Sequence, residues 1–180
     1  MQDLSLHILD LAENSARAGA TLLTIELSEH TGQNRLRLQM TDNGAGMGRE
    51  TLAKAADPFF TTKPGKTMGL GLPLLKEAAL QAGGFFSLRG EAGRGLAVTG
   101  EFQLDHLDRP PLGDLAETIA VFRLSYPEIR LVLYRLRGEK SYSFDSGPPI
   151  SGGPGKQDRF AEVLKAREWI RQQEEQLMGG

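Results

Sequence analysis

His7, Asp10, Asn14 and Arg17 recur at i, i+3, i+7 and i+10. In a helix, with about 100° between successive residues, they share one stripe roughly 80° wide. A solvated helix face usually carries Lys and Glu in excess. This one sets out a base, a carboxylate, an uncharged oxygen ligand and a cation in a row. Mg2+ takes oxygen ligands and keeps most of its waters, so one Asn oxygen plus phosphate oxygens can hold it. An ordinary polar helix face has the same pattern, and the stripe alone does not separate the two readings.

Three further constellations follow. Asp42-Asn43-Gly44-Ala45-Gly46-Met47-Gly48 comes straight after a strand-like segment. A carboxylate at a strand end can accept from an exocyclic amine, and glycine lets a backbone come close to a ligand. The plainer alternative is a tight turn with an Asx cap. Asp57-Pro58-Phe59-Phe60-Thr61-Thr62-Lys63 reads either as a functional loop or as a surface loop pinned by two aromatics. Gly69-Leu70-Gly71-Leu72-Pro73 opens a helix, and amides at a helix N-terminus bind phosphate. Its plainer reading is a flexible start to that helix. Two commoner nucleotide motifs fail. Gly65-Lys66-Thr67 ends like a Walker A loop, but Phe60 stands where its first glycine belongs. A GxGxxG fingerprint would need glycine at Arg49 or Leu74, which argues against a Rossmann site.

The elements that must position these residues are legible from periodicity. Leu4, Ile8 and Leu11 predict a helix over residues 3–18, capped by Asp3 and stopped by Gly19. Strands are predicted at 21–28 and at 35–41, where apolar and polar residues alternate. A short helix at 49–56, a loop at 57–69 and a helix at 71–82 follow, with Pro73 tolerated in the first turn. Strands at 84–89 and 96–104 complete one layer of strands and one of helices. Beyond them come a helix at 112–124 and a hairpin at 129–136 and 140–144. A stretch with seven Gly or Pro at 146–155 reads as a linker, and a last helix spans 157–177.

Composition bounds the rest. The 180 residues are 39% hydrophobic and 24% charged, an ordinary globular balance. No apolar run is long enough for a membrane helix, and the N-terminal residues lack the basic start of a secretory signal. With no cysteine there are no disulfides, thiolate metal sites or thiol nucleophiles. A net charge of −2 provides no field that would draw in nucleic acid or an anionic membrane. A cytoplasmic protein is expected.

In order and spacing the four constellations resemble the GHKL ATPase superfamily. Its members include histidine-kinase catalytic domains, serine-kinase anti-sigma factors, MutL-type repair proteins, heat-shock chaperones and type II topoisomerases. HILDLAENSARAGAT resembles the N box, DNGAGM the G1 box, DPFFTTK the F box and GLGLPLLK the G2 box. The resemblance spans residues 7 to about 104. It implies the Bergerat fold, an α/β two-layer sandwich with helices on one face of a mixed sheet, and it implies ATP and Mg2+ as ligands.

Roles carry over by position. Asn14 would be the metal ligand. Asp42 would accept from the adenine amino group, with Gly44, Gly46 and Met47 beside the purine. Phe60, Thr61, Thr62, Lys63, Lys66 and Thr67 would lie over the phosphates, and Gly69, Leu70, Gly71 and Leu72 would bring amides to them. Arg17 matches the basic phosphate contact of histidine kinases. Asp10 stands where hydrolysing members keep a water-activating Glu one methylene longer. His7 would touch the γ-phosphate or orient Asp10, or else serve helix packing. Only residues 64–68 separate FFTTK from GLGL, which resembles the short lid of histidine-kinase relatives.

With the N box at residue 7, no phosphoacceptor hairpin fits before it, so a free-standing module is expected. Its parts would be a nucleotide-binding domain at 1–106, a helix and hairpin extension at 107–145, the linker at 146–155 and a C-terminal helix at 156–180. GHKL domains normally carry a strand and helix before the N box. The 129–144 hairpin is expected to extend the sheet or cover its edge in their place. The last helix would dock to a protein partner or a second copy through Trp169, or fold back on its own core. The leading expectation is a histidine-kinase-like module acting on a partner protein, by phosphoryl transfer to histidine or serine or by ATP-dependent binding. The alternatives are a nucleotide-sensing regulatory subunit and a slow MutL-type ATPase clamp. The N box and the segment after His106 also resemble small ATP-binding proteins of bacterial iron-hydrogenase and other redox operons, so the regulatory alternative would belong to such a complex.

Overall fold

A computed structural model describes residues 3–57, 71–148 and 156–179. Helix α1 (Leu4–Arg17) begins where Asp3 accepts from the Leu6 amide, and the chain leaves it at Gly19 with φ +73°. The first hairpin is β1 (Leu22–His30) and β2 (Arg35–Asp42). Then follow α2 (Arg49–Lys54), α3 (Gly71–Gln81), β3 (Phe85–Gly90) and β4 (Leu96–Gln103). The remainder is α4 (Leu115–Ser125), β5 (Arg130–Arg137), β6 (Lys140–Asp145) and α5 (Lys156–Met178).

The six strands form one sheet in the order β3-β4-β2-β1-β5-β6. Only β1 and β5 run parallel; every other neighbour is antiparallel. The alternation seen in the sequence becomes a two-sided sheet. Leu23, Ile25 and Leu27 of β1, Leu36, Leu38 and Met40 of β2, and Leu131 and Leu133 of β5 are buried in one core. Thr24, Glu26, Arg37, Gln39 and Tyr134 point the other way and keep contact with solvent. The helices cover the first face. α1 touches α3 on one flank and α4 on the other, and α5 lies beyond α4 and over β6. This is the expected α/β two-layer sandwich.

The expected hairpin extension is also present, because β5 pairs with β1 along its length and β6 closes the edge. Long-range hydrogen bonds hold the extension to the first helix. The Leu4 and Ser5 amides donate to the Pro111 and Leu112 carbonyls, and Ser5 Oγ donates to Leu112 O at 2.7 Å. Arg123, buried in α4, donates to Ile129 O at 3.1 Å and so fixes the turn into β5.

Strand β5 departs from its own pattern at Arg135. Alternation points this residue toward the helices, where Leu131 and Leu133 precede it, and it is fully buried. Its guanidinium pairs with Glu29 of β1 and, at 3.1 Å, with Glu174 of α5, while Tyr142 Oη donates to Glu174 at 2.6 Å. Helix α5 is held to its own domain by this cluster and by buried Val163, Ile170 and Leu177. Trp169, expected as a partner anchor, instead packs edge-on against Tyr142 and lies against Phe144. The helix has folded back on its own core, the second of the two arrangements expected for it. Most of the Gly/Pro linker lies outside the described residues, and no described helix is long and apolar enough to cross a membrane.

Candidate functional site

The site is built where α1 ends above the end of β2. Leu4, Ile8 and Leu11 turn one side of α1 into the core. That rotation leaves Asp10 exposed, Asn14 half-buried and Arg17 exposed along the neighbouring stripe. Ser15 falls on the buried side. Antiparallel pairing of β1 with β2 sets Asp42 opposite Leu23, close to the start of β1. Asp42 Oδ2 there accepts from Ser15 Oγ at 2.8 Å, and Oδ1 accepts from the Gly44 amide at 2.9 Å. The carboxylate is therefore fixed in direction before any ligand arrives.

The turn after Asp42 is clamped on two sides. The Ala45 amide donates to Ala18 O at 2.9 Å, and the Gly93 amide donates to Ala45 O at 2.7 Å. Asn43 Oδ1 accepts from the Thr21 and Leu22 amides, both at 2.9 Å. Gly46 has φ +63°, and a Cβ there would stand 2.0 Å from Glu91 O. The chain's own packing thus already demands glycine at this position. Met47 is half-buried against the core.

The start of α3 closes the other side. A Cβ on Gly71 would stand 3.4 Å from Asn14 Nδ2 and 3.5 Å from Asp10 Oδ2. Asp10, Asn14 and the first residue of a helix therefore converge, at the kind of helix N-terminus that favours an anion. Leu72 and Pro73 are buried behind it, and Pro73 lacks only an amide that the first helical turn leaves unpaired anyway. Phe60, Thr61, Thr62, Lys63, Lys66, Thr67, Gly69 and Leu70 lie outside the described residues.

His7 is treated differently from the rest of its stripe. It is buried to 3% exposure while Asp10, one turn on, is open to solvent. Burial lowers its pKa below the ordinary 6.5, against the opposing pull of the Asp10 and Asp3 carboxylates. The unfolded chain therefore takes up the proton first as pH falls. The stability that neutral His7 contributes is complete above about pH 6.5 and is lost as pH falls through the folded-state value. His7→Gln is expected to remove this component. Urea midpoints at about pH 7.5 and about pH 5.5 should differ less in the variant than in the wild type. An equal difference in both proteins would assign the pH dependence elsewhere.

Two residues of the site were missed in the sequence. Ser15, which orients Asp42, has no signal except its place beside Asn14. Glu13 pairs with Arg17 at i, i+4, and that spacing could have revealed it.

As for metal, one neutral oxygen on Asn14 with a nearby cation fits Mg2+ carried by phosphate oxygens. Among the described residues no group of three His, Asp or Glu could cage an ion instead.

Known proteins share the sequence pattern and the fold of this chain. The model of a family described as histidine kinase-, DNA gyrase B-, and HSP90-like ATPase matches residues 2–106. The sensor protein kinase FleS of Pseudomonas aeruginosa is 40% identical over 92 residues, 51% of this chain and 23% of that protein. The DNA mismatch repair protein MutL of Neorickettsia sennetsu is 33% identical over 97 residues, 54% of this chain and 13% of that protein. The chain thus spans less than a quarter of the length of either relative. Among solved structures, the Aquifex aeolicus MutL ATPase domain complexed with ADP superposes with a TM-score of 0.56 at 16% identity. It covers 92% of this chain and 70% of its own. The N-terminal domain of a DNA repair protein gives 0.60 at 13% identity, covering 91% of this chain and 57% of its own. At such identities the likeness is one of fold, and it extends past residue 106 into the extension.

Proposed function

Because the chain belongs to the histidine kinase-, DNA gyrase B-, and HSP90-like ATPase family, we propose that it binds Mg-ATP between α1, the 43–48 turn and the start of α3, and acts through it on a protein partner. The observation that carries this reading is the pre-oriented Asp42 carboxylate, held by Gly44 and by Ser15, the residue that follows Asn14 on α1. Asp42 accepts a hydrogen bond from the amino group of the base. Asn14 offers its side-chain oxygen to the metal, and Arg17 neutralises phosphate charge. The amides at the start of α3 face the phosphate end. Mg2+, when bound, neutralises the triphosphate and polarises the transferring group. In such a site the protein's share is positioning and electrostatics.

A second reading is favoured by Asp10. Its carboxylate stands beside Asn14 at the start of α3, where it can orient or deprotonate a water. The chain would then hydrolyse ATP slowly rather than pass the phosphoryl group on. Labelling of a partner by γ-phosphate marks the first reading, and phosphate release lost in Asp10→Asn marks the second.

Binding itself is tested by thermal unfolding with Mg-ADP, Mg-ATP, nucleotide plus chelator, and no addition. A ligand at about a hundredfold excess over Kd stabilises by about 2.7 kcal/mol, or roughly 5–10 °C for a chain of this size. The expected result is a shift of that order whose magnesium-dependent part disappears in Asn14→Ala. No shift with any nucleotide would overturn the reading.

A further inference from the structure

The oxygen that the metal needs is already taken. Asn14 Oδ1 accepts from Arg17 Nη1 at 2.8 Å. The other terminal nitrogen of the same guanidinium pairs with Glu13, four residues earlier on α1. Asn14 has one carbonyl oxygen, and its amide nitrogen cannot ligate a cation. The oxygen has two lone pairs, but a guanidinium and a divalent cation on them repel at close range and so compete for it. Arg17 on Asn14 therefore weakens the metal's hold there, and its departure favours the metal. A freed Arg17 has an obvious destination, because the phosphates that arrive with the metal offer the same planar fork a second pair of oxygens. Glu13 gains nothing from this exchange and opposes it.

We propose that Glu13 and Arg17 form a gate on Asn14. At rest, Arg17 caps the metal-binding oxygen with Glu13 as its counter-ion, and loading replaces Glu13 by phosphate and Arg17 by Mg2+. The proposal rests on the nucleotide reading above and adds a control to that same site. Glu13 is a positioning residue acting through Arg17, with no contact of its own to the ligand. Both partners of the pair are substantially exposed, at 47% and 35% for the side chains, so water screens their attraction and the gate is a light one. It biases the occupancy of the site without closing it.

The test is a four-protein cycle in the full chain: wild type, Glu13→Gln, Arg17→Met and the double variant. The Kd for Mg-ADP is measured by titration calorimetry, which reads binding and not turnover. Releasing the gate is expected to tighten binding roughly two- to fivefold in Glu13→Gln. In the Arg17→Met background the same Glu13→Gln change should have no effect, because there is no guanidinium left to hold. The magnesium concentration needed for half-maximal ADP binding should fall in Glu13→Gln alone. An equal gain in both backgrounds would show Glu13 repelling phosphate directly and would overturn the gate. Unchanged or weaker binding in Glu13→Gln would also overturn it. In either case wild-type binding leaves the nucleotide reading standing. If none of the four proteins binds Mg-ADP, the nucleotide reading fails and the gate fails with it. Both residues face solvent at the end of α1, so the variants retain the fold, and far-UV circular dichroism checks this.

Discussion

Asp42→Asn is expected to weaken adenine nucleotide binding by roughly ten- to a hundredfold, the equivalent of the 1.5–3 kcal/mol typical of a hydrogen bond to a charged group. The substitution keeps the size of the side chain. An amide can still accept from Gly44 N through its oxygen and meet Ser15 Oγ through its nitrogen, so the turn keeps both of its ties. What changes is the group offered to the base. The carboxylate accepts at both oxygens, whereas the amide presents donors on one side and no charge. The loss should therefore fall on ligand affinity, with the urea midpoint of the ligand-free protein nearly unchanged. Equal affinity in Asp42→Asn and wild type would remove Asp42 from the base-binding position and with it the central support for the proposed site.

Arg135→Ala should destabilise the protein by about 3–5 kcal/mol, the usual result of removing one partner from a buried ion pair. Arg135 is wholly buried and holds two carboxylates, Glu29 and Glu174, while also donating to Leu136 O at 2.8 Å. Without it, among the described residues, Glu29 keeps Arg137, 3.4 Å away, and Glu174 keeps the Tyr142 hydroxyl. The damage should be directional, because Glu174 is the side chain through which α5 enters the cluster. Trp169 is the single tryptophan and packs on Tyr142, so its fluorescence reports whether α5 stays docked. The expected observation is a lower urea midpoint with the Trp169 signal changing at or before loss of the sheet. A shift below about 1 kcal/mol would mean that water reaches the cluster and that other contacts hold α5.

The two sites differ in how much of them could be read in advance. The helix carrying Asp10, Asn14 and Arg17 announces itself through Leu4, Ile8 and Leu11, with Asp3 and Gly19 marking its ends. The strand that delivers Asp42 is equally plain from its alternation. Both signals are local, since a helix or a half-buried strand needs only its own few residues to set its period. The family is visible for the same reason, because each of its four boxes is a short run. Gly44 and Gly46 are visible too, but only in part. They read as places for a ligand, whereas the folded chain also needs them against Ala18 and Glu91.

The partners of Ser15 and Arg135 were not legible. Ser15 is one more small polar residue until β2 brings a carboxylate beneath it from 27 positions away. Alternation places Arg135 on the Leu131 and Leu133 side of its strand, but nothing nearby in the chain names the carboxylates that receive it, Glu29 of β1 and Glu174 of α5. The pairing of β1 with β5 has no local mark either, because it joins residues 22 and 130 through everything between them. The sequence by itself therefore determined the elements, their order, the family and most of the residues proposed to meet a nucleotide. Only the tertiary structure decided which strands are neighbours, which way the last helix turns and what orients Asp42. Periodicity and capping act within a few residues of chain, whereas these contacts exist only after distant segments have closed on one another and buried their charges together.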